Sequence, residues 1–140
     1  MKFIFKMLVR MHVFFYRLTG GKFGGNIRGF PVLLLTTTGR KTGRPHTTAL
    51  GYFEDSGAYV IIGSNAGFDT HPAWFYNLKA QPRATIEINA RRLEVVAETA
   101  GPDQRARLWA RLIELAPPYG EYEKRTRREI PLVMLRPVAQ

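Results

Sequence analysis

The sequence has 140 residues, with 21 Lys and Arg against 11 Asp and Glu and a net charge of +10. Its length and its 45% hydrophobic content predict one globular domain with its own core and argue against a disordered chain. The absence of cysteine excludes disulfides, thiolate metal sites and cysteine nucleophiles, and it favours a cytoplasmic location. The excess positive charge favours an anionic partner, which could be nucleic acid, a membrane surface or an acidic small molecule.

Residues 1–19 have the pattern of an amphipathic helix. Lys2, Lys6, Arg10 and Arg17 fall on one stripe, and apolar side chains cover the rest of the surface. The longest run without Lys, Arg, Asp or Glu, residues 11–16, is too short to span a bilayer. The helix is therefore predicted either to lie peripherally in the interface of the cell membrane or to pack on its own domain or a partner subunit. A glycine-rich connector over residues 20–30 follows it.

Residues 31–140 change to a β pattern with few helices. Strands are predicted at Val32–Thr38, Thr47–Phe53, Ala58–Ser64, Ala84–Asn89, Arg92–Thr99 and Leu132–Leu135. One short helix is expected after an Asp69 or Thr70 cap, and a second after an Asp103 cap, with Arg105, Arg107 and Arg111 facing solvent. A charged helical segment is expected from Tyr119 to about Arg128. The fold class is α+β, a small barrel of about six mainly antiparallel strands with flanking helices.

A basic turn between the first two predicted strands is the strongest binding signal. Two glycines, Gly39 and Gly43, bracket Arg40, Lys41 and Thr42. Free backbone N–H groups, two cations and a hydroxyl in five residues suit a bound phosphate. The alternative is a hairpin turn whose charges are only solvated.

Residues for direct catalysis are few. His12, His46 and His71 lack metal-ligand spacing, no metal site is expected, and Glu54 and Asp55 are adjacent and would face opposite sides of a strand. A cofactor would therefore carry the reaction in an enzyme built from this chain. Aromatic residues near 74–76 and at 119 and 122, together with the basic turn, favour a pocket for a planar phosphorylated ring.

Four blocks, LLLTTTGRKTGRPHTT, SNAG, THPAWFYNLKAQP and PPYGEYEKRTRREIP, resemble the deazaflavin-dependent nitroreductase family. These proteins are split β-barrel oxidoreductases that use coenzyme F-420, and the likeness covers about residues 30–138. The resemblance implies a deazaflavin-binding barrel over residues 31–140. It also implies hydride transfer from reduced F-420 to a quinone or nitroaromatic acceptor.

The resemblance also implies roles for individual residues. Arg40, Lys41 and Thr42 would grip the phosphate and acidic tail of the cofactor, and Tyr119 and Tyr122 would lie at the substrate end as catalytic residues. The remaining implied cofactor contacts are His46, Thr47, Thr48, Ala49, Leu50, Gly51, Ile62, Gly63, Ser64, Asn65, Ala73, Trp74, Phe75, Tyr76, Asn77 and Tyr119.

Two positions depart from the family pattern. Asn65 stands where the family often has lysine, which removes one cation near the cofactor. Ala116 replaces an aromatic residue and is expected to reshape the substrate pocket. Two alternatives stay open, an FMN-dependent split-barrel oxidoreductase and a non-catalytic F-420-binding protein. Nucleic-acid binding is not expected, because no familiar motif accompanies the charge. The sequence leaves the oligomeric state open.

Overall fold

The computed structural model describes residues 2–18, 26–27, 30–65 and 68–138. Its helices are α1 (Lys2–Leu18), α2 (Ala73–Ala80), α3 (Pro102–Leu115) and α4 (Tyr119–Arg125). Its strands are β1 (Asn26–Ile27), β2 (Phe30–Thr38), β3 (Pro45–Asp55), β4 (Ala58–Ile62), β5 (Arg83–Ile88), β6 (Arg91–Thr99) and β7 (Leu132–Pro137).

Six of these strands close into an antiparallel barrel. The order runs β2-β3-β4-β7-β6-β5, and β5 pairs back onto β2 through Leu34–Glu87, Leu35–Ile86 and Thr36–Thr85. The two-residue β1 pairs with the first two residues of β2. The predicted fold class is confirmed, since helices flank a barrel of six antiparallel strands.

The uninterrupted apolar run in β2 is explained by cover on both faces of the strand. Leu33 and Leu35 belong to the interior cluster of the barrel, whereas Val32 and Leu34 pack beneath α1 with Val13 and Tyr16. Side chains alternate between the two faces of a strand, so a strand covered on both sides is apolar at every position.

The other helices cover or fill the remaining apolar surfaces. α2 contributes Trp74, Phe75 and Leu78 to the interior cluster. α3 places Leu108 and Leu112 against the outward-facing side chains of β4 and β7. These contacts put the start of α2 beside the ends of β2 and β4, where the main pocket opens.

The predicted helix caps are wrong in detail. Asp103 lies inside α3, because Gly101 is the N-cap and Pro102 takes the first helical position, where its fixed φ and missing N–H cost nothing. Pro72 precedes α2 without a side-chain cap. Asp69 instead accepts hydrogen bonds from the Thr126 hydroxyl and the Arg127 N–H.

Arg105 departs from the expectation that it faces solvent. Its Nε donates to the Ile130 carbonyl at 2.9 Å, and its guanidinium lies over the Trp109 ring at 4.8 Å. Arg107 and Arg111 are more than half exposed, and both pair with Asp55.

Strand ends differ from the sequence prediction by a few residues. β3 is four residues longer than Thr47–Phe53, and β4 ends at Ile62. The Gly63 N–H still donates to the Pro131 carbonyl, but Pro131 has no N–H with which to continue the pairing. Asn26 and Ile27 of the predicted connector form β1. The rest of the connector, apart from Phe30, lies outside the described residues.

α1 is held on the barrel by its Tyr16 hydroxyl. The Asn89 N–H donates to this oxygen at 2.9 Å, and the hydroxyl lies 3.1 Å from the carbonyl oxygens of Val32 and Glu87. Arg17 adds an ion pair to the Glu87 carboxylate at 2.7 Å. No helix in the described part of the chain has the length and apolar character needed to cross a membrane.

Tyr16→Phe is expected to lower the free energy of unfolding by about 1–2 kcal/mol, because buried backbone groups lose their hydroxyl partner. Urea denaturation measures the change. Leu8→Ala is the matched control on the same helix, since Leu8 is 55% exposed and its truncation should change stability by less than about 0.5 kcal/mol. Equal losses in both variants would contradict this account of α1 docking.

Candidate functional site

An open pocket of about 760 Å³ lies along β3, a volume within the usual range for small-molecule sites. It is surrounded by the β2–β3 turn, the end of β4, the loop before α2, the start of α2 and Tyr119. The lining residues are Thr37, Gly39, Arg40, Lys41, Thr42, His46, Thr47, Thr48, Ala49, Leu50, Gly51, Ile62, Ser64, Asn65, Phe68, His71, Pro72, Ala73, Trp74, Asn77 and Tyr119.

The register of β3 explains why six consecutive residues, His46–Gly51, line one pocket. β2 pairs with β3 over Pro45–Gly51, whereas β4 pairs with it over Tyr52–Asp55. The edge of β3 opposite β2 is therefore open along His46–Gly51, and its backbone forms a pocket wall. Five steps of about 3.3 Å give this wall a length of about 17 Å. The pocket suits an elongated ligand.

The basic turn stands at one end of this wall, but its glycines do not supply free N–H groups. The Gly39 N–H donates to the Arg44 carbonyl and the Gly43 N–H to the Gly39 carbonyl, both at 2.8 Å. The expectation of an anion cradle made from glycine amides is wrong, because these groups close the turn itself. Gly43 has a φ of +69°, which glycine adopts without strain. The exposed Arg40, Lys41 and Thr42 side chains carry the charge and the hydroxyl at this end.

Asn77 fixes the turn to the barrel. Its Oδ1 accepts from the Arg40 backbone N–H, and its Nδ2 donates to the Thr37 hydroxyl, both at 3.1 Å. Asn77 and Thr37 are the buried polar residues in the described part of the chain. The Arg40 guanidinium also lies 4.6 Å from the centroid of the Tyr76 ring. α2 therefore sets the position of the first cation in the turn.

The loop between β4 and α2 forms the opposite wall. Asn65 has a φ of +46°, a region that asparagine tolerates better than most residues. Its Nδ2 donates to the Thr70 carbonyl at 3.0 Å. The Asn65 amide thus holds the loop in shape.

Arg128 holds the same loop from outside. Its Nε donates to the Phe68 carbonyl at 3.1 Å, and its two terminal nitrogens contact the Ser64 carbonyl and His71 Nδ1, each at 2.9 Å. Burial, followed by the Arg128 and Lys79 charges, lowers the pKa of His71. His71 is therefore a neutral pocket residue at physiological pH.

Tyr119 closes the far end of the β3 wall. A Cβ on Gly51 would lie 3.2 Å from the Tyr119 hydroxyl, so this oxygen sits against the Gly51 backbone. The Tyr119 ring packs with Phe30 and Tyr122 at centroid distances of 6.0 and 5.6 Å. Burial, and then the neighbouring Tyr122, raises the pKa of Tyr119, so it remains a protonated hydroxyl donor.

Four residues named as site residues lie outside the pocket lining. Gly63 packs against Pro131, and Tyr122 lies beside Tyr119 with the Arg125 guanidinium over its ring. Phe75 and Tyr76 pack against His71 at 4.7 and 5.7 Å between ring centroids. Ala116, expected to reshape the substrate pocket, is the C-cap of α3 and also lies outside the lining.

Five lining residues were not among the implied cofactor contacts, although Gly39 was named as part of the basic turn. They are Thr37, Gly39, Phe68, His71 and Pro72. Arg128, which holds His71 and its loop, was not named either. Phe68, His71 and Pro72 flank a predicted helix start, which is a usable signal. No local pattern pairs Arg128 with a histidine 57 residues earlier.

The chain matches the F420H(2)-dependent quinone reductase family over residues 8–137. It is 43% identical to the F420H(2)-dependent quinone reductase Rv1261c of Mycobacterium tuberculosis over 132 residues, which cover 91% of this chain and 89% of that protein.

Solved structures agree with this match. A structure of an F420-H2 dependent reductase, FDR-A, is 33% identical, with a TM-score of 0.68 over 75% of this chain and 93% of its own. A structure described as a domain-swapped dimer has a TM-score of 0.71 at 28% identity and covers 96% of this chain and 97% of its own. The chain therefore belongs to the F420H(2)-dependent quinone reductase family.

Proposed function

We propose that this protein is an oxidoreductase that uses reduced coenzyme F-420 to reduce a quinone. The single observation that carries the proposal is the open β3 edge, which joins a cationic end at Arg40 and Lys41 to an apolar end at Gly51 and Tyr119. Reduced F-420, when bound, supplies a hydride for an acceptor placed beside its ring.

The donor set of the pocket fits such a cofactor. Arg40, Lys41 and Thr42 suit a phosphate and an acidic tail, because charge-assisted hydrogen bonds are the strongest that a protein offers. Ile62 and the buried Trp74, beside the β3 backbone at Ala49 and Leu50, give apolar surface for a flat ring. The polar edge of β3 between these ends offers backbone donors and acceptors.

The chain's own residues align the two reactants. Trp74 and the β3 wall fix the ring plane, and proximity supplies most of the rate enhancement. The Tyr119 hydroxyl stands at the acceptor end and donates a hydrogen bond to the oxygen that becomes negative. Tyr122 packs on Tyr119 and positions it. A nitroaromatic acceptor at the same end is the second candidate substrate.

Competitive titration tests the identity of the cofactor. F-420 and FMN are titrated separately into the full-length protein, and tighter binding of F-420 is expected because two adjacent cations meet its longer acidic tail. Preference for FMN would reassign Arg40 and Lys41 to a simple phosphate site. The absence of F-420 binding at micromolar concentrations would overturn the proposal.

We also propose that α1 lies on an anionic membrane surface and so brings the pocket near lipid-soluble quinones. α1 turns Val9 and Val13 toward the barrel, while Met7, Leu8, Met11 and Phe14 are 45–60% exposed on another face. The exposed Arg10 lies between these faces. Apolar side chains beside cations match the interface of an anionic bilayer.

Vesicle flotation tests this placement. Leu8→Glu/Met11→Glu is expected to abolish flotation with phosphatidylglycerol vesicles, because two carboxylates cannot enter the interface cheaply. Leu115→Glu, which adds charge at a 52% exposed site on α3, should float like the wild type. Equal flotation of the double variant and the wild type would contradict the membrane proposal.

A further inference from the structure

The contact between Arg128 and His71 fixes the protonation of the imidazole. An arginine side chain only donates hydrogen bonds, so His71 Nδ1, 2.9 Å from the Arg128 guanidinium, must accept. An imidazole whose Nδ1 accepts carries its single hydrogen on Nε2. His71 is therefore the neutral Nε2–H tautomer.

The surroundings of His71 favour the neutral imidazole over the protonated one. The charged groups near it are Arg128, Lys79 at the end of α2, and Asp69, whose carboxylate accepts hydrogen bonds from Thr126 and Arg127. The Phe75 and Tyr76 rings hold the imidazole in place by contact. Burial and then both nearby cations oppose its protonation, so the pKa of His71 is lowered from its ordinary value of 6.5.

The second nitrogen of this ring is available to a ligand. His71 lines the main pocket, and within the described part of the chain its Nε2 has no hydrogen-bond partner. Among the described residues, every fully buried side-chain nitrogen and oxygen has a hydrogen-bond partner. Because His71 Nε2 has none, this atom is not fully buried and can be reached from solvent.

We propose that Arg128 presents His71 to the pocket as a fixed Nε2–H donor for a carbonyl or anionic oxygen of the bound deazaflavin. The ligand half of this inference rests on the proposed function, and the tautomer half does not. His71 is then a specificity-determining contact for the cofactor, and Arg128 is a positioning residue that acts through it. Phe75 and Tyr76 act through His71 as well, from behind the pocket wall.

Nitrogen NMR of the uniformly labelled full-length protein tests the tautomer without any cofactor. The His71 signals, assigned by their loss in His71→Asn, are expected to show a bare Nδ1 and a protonated Nε2 at neutral and mildly acidic pH. Arg128→Met should raise the pKa of His71 toward its ordinary value of 6.5, because one opposing charge is gone. A protonated Nδ1 in the wild type would overturn the proposal.

Two substitutions at His71 separate its roles in binding. In His71→Asn the amide oxygen replaces Nδ1 and still accepts from Arg128, but the Nε2–H donor is lost. In His71→Gln the amide nitrogen reaches the position of Nε2 and restores a donor. F-420 titration should show binding about three- to tenfold weaker for His71→Asn, with partial recovery in His71→Gln.

The outcomes distinguish this inference from the proposed function. Equal F-420 affinity in the wild type and His71→Asn would overturn the inference while leaving the proposed function intact. Failure of the wild type to bind F-420 would overturn the proposed function and the ligand half together. Arg128→Lys keeps the charge but loses the planar guanidinium that makes several hydrogen bonds at once. His71 should then keep its lowered pKa but populate both neutral tautomers.

Discussion

Asn77→Ala is expected to lower the free energy of unfolding by about 2–4 kcal/mol, with a matching loss of affinity for F-420. The substitution leaves the buried Thr37 hydroxyl and the Arg40 N–H without their shared partner. An unsatisfied buried polar group costs about 1–3 kcal/mol. The turn that carries Arg40 and Lys41 then loses its attachment to α2. Urea denaturation and F-420 titration measure the two effects.

A double-mutant cycle with Thr37→Val controls this experiment. Valine removes the hydroxyl that needs Asn77, so Asn77→Ala should cost less stability in the Thr37→Val background than in the wild type. F-420 affinity should stay low in the double variant, because the Arg40 N–H still lacks its acceptor. Strict additivity of the two stability losses would contradict the assigned contact.

Arg40→Ala/Lys41→Ala is expected to weaken F-420 binding by about 3 kcal/mol or more at low salt, which is at least a hundredfold. Each charge-assisted contact contributes about 1.5–3 kcal/mol, and Lys41→Ala alone should lose one such contribution. The difference from the wild type should shrink as salt rises, since exposed charges are screened. Isothermal titration at two salt concentrations measures it.

The control for this prediction removes the same charge elsewhere. Arg83→Ala/Arg91→Ala deletes two exposed cations on β5 and β6, away from the pocket lining. Its F-420 affinity should stay within about twofold of the wild type, given that distant surface charges are screened. Equal weakening by the two double variants would mean that net charge alone, and not the turn, attracts the cofactor.

The barrel was predictable because its signals are local. The apolar residues Val32–Leu35 and the β-branched residues Val60–Ile62 indicate strands, and turn residues separate them at short spacing. The N-terminal helix was predictable for the same reason. The sequence could not show which apolar face of this helix packs on the barrel and which stays exposed. That choice depends on Tyr16, which is fixed by backbone groups of β2 and of the β5–β6 hairpin, and these are distant in the chain.

The sequence predicted which residues belong to the candidate site better than it predicted the contacts that they make. The resemblance named the β3 wall, yet the wall depends on register, since β4 pairs with β3 only beyond Gly51 in the described structure. The turn was found from its composition, but its glycine amides bond within it. Asn77 and Arg128 act across 37 and 57 residues, a distance that no local pattern spans.

The most direct test of the central claim is a single absorbance measurement. Full-length protein is mixed with reduced F-420 and menadione, and the absorbance of the oxidised deazaflavin is followed against a protein-free control. That absorbance should appear rapidly with the wild type and at a much slower rate with Arg40→Ala/Lys41→Ala at the same cofactor concentration. A wild-type rate equal to that of the protein-free control would contradict the claim.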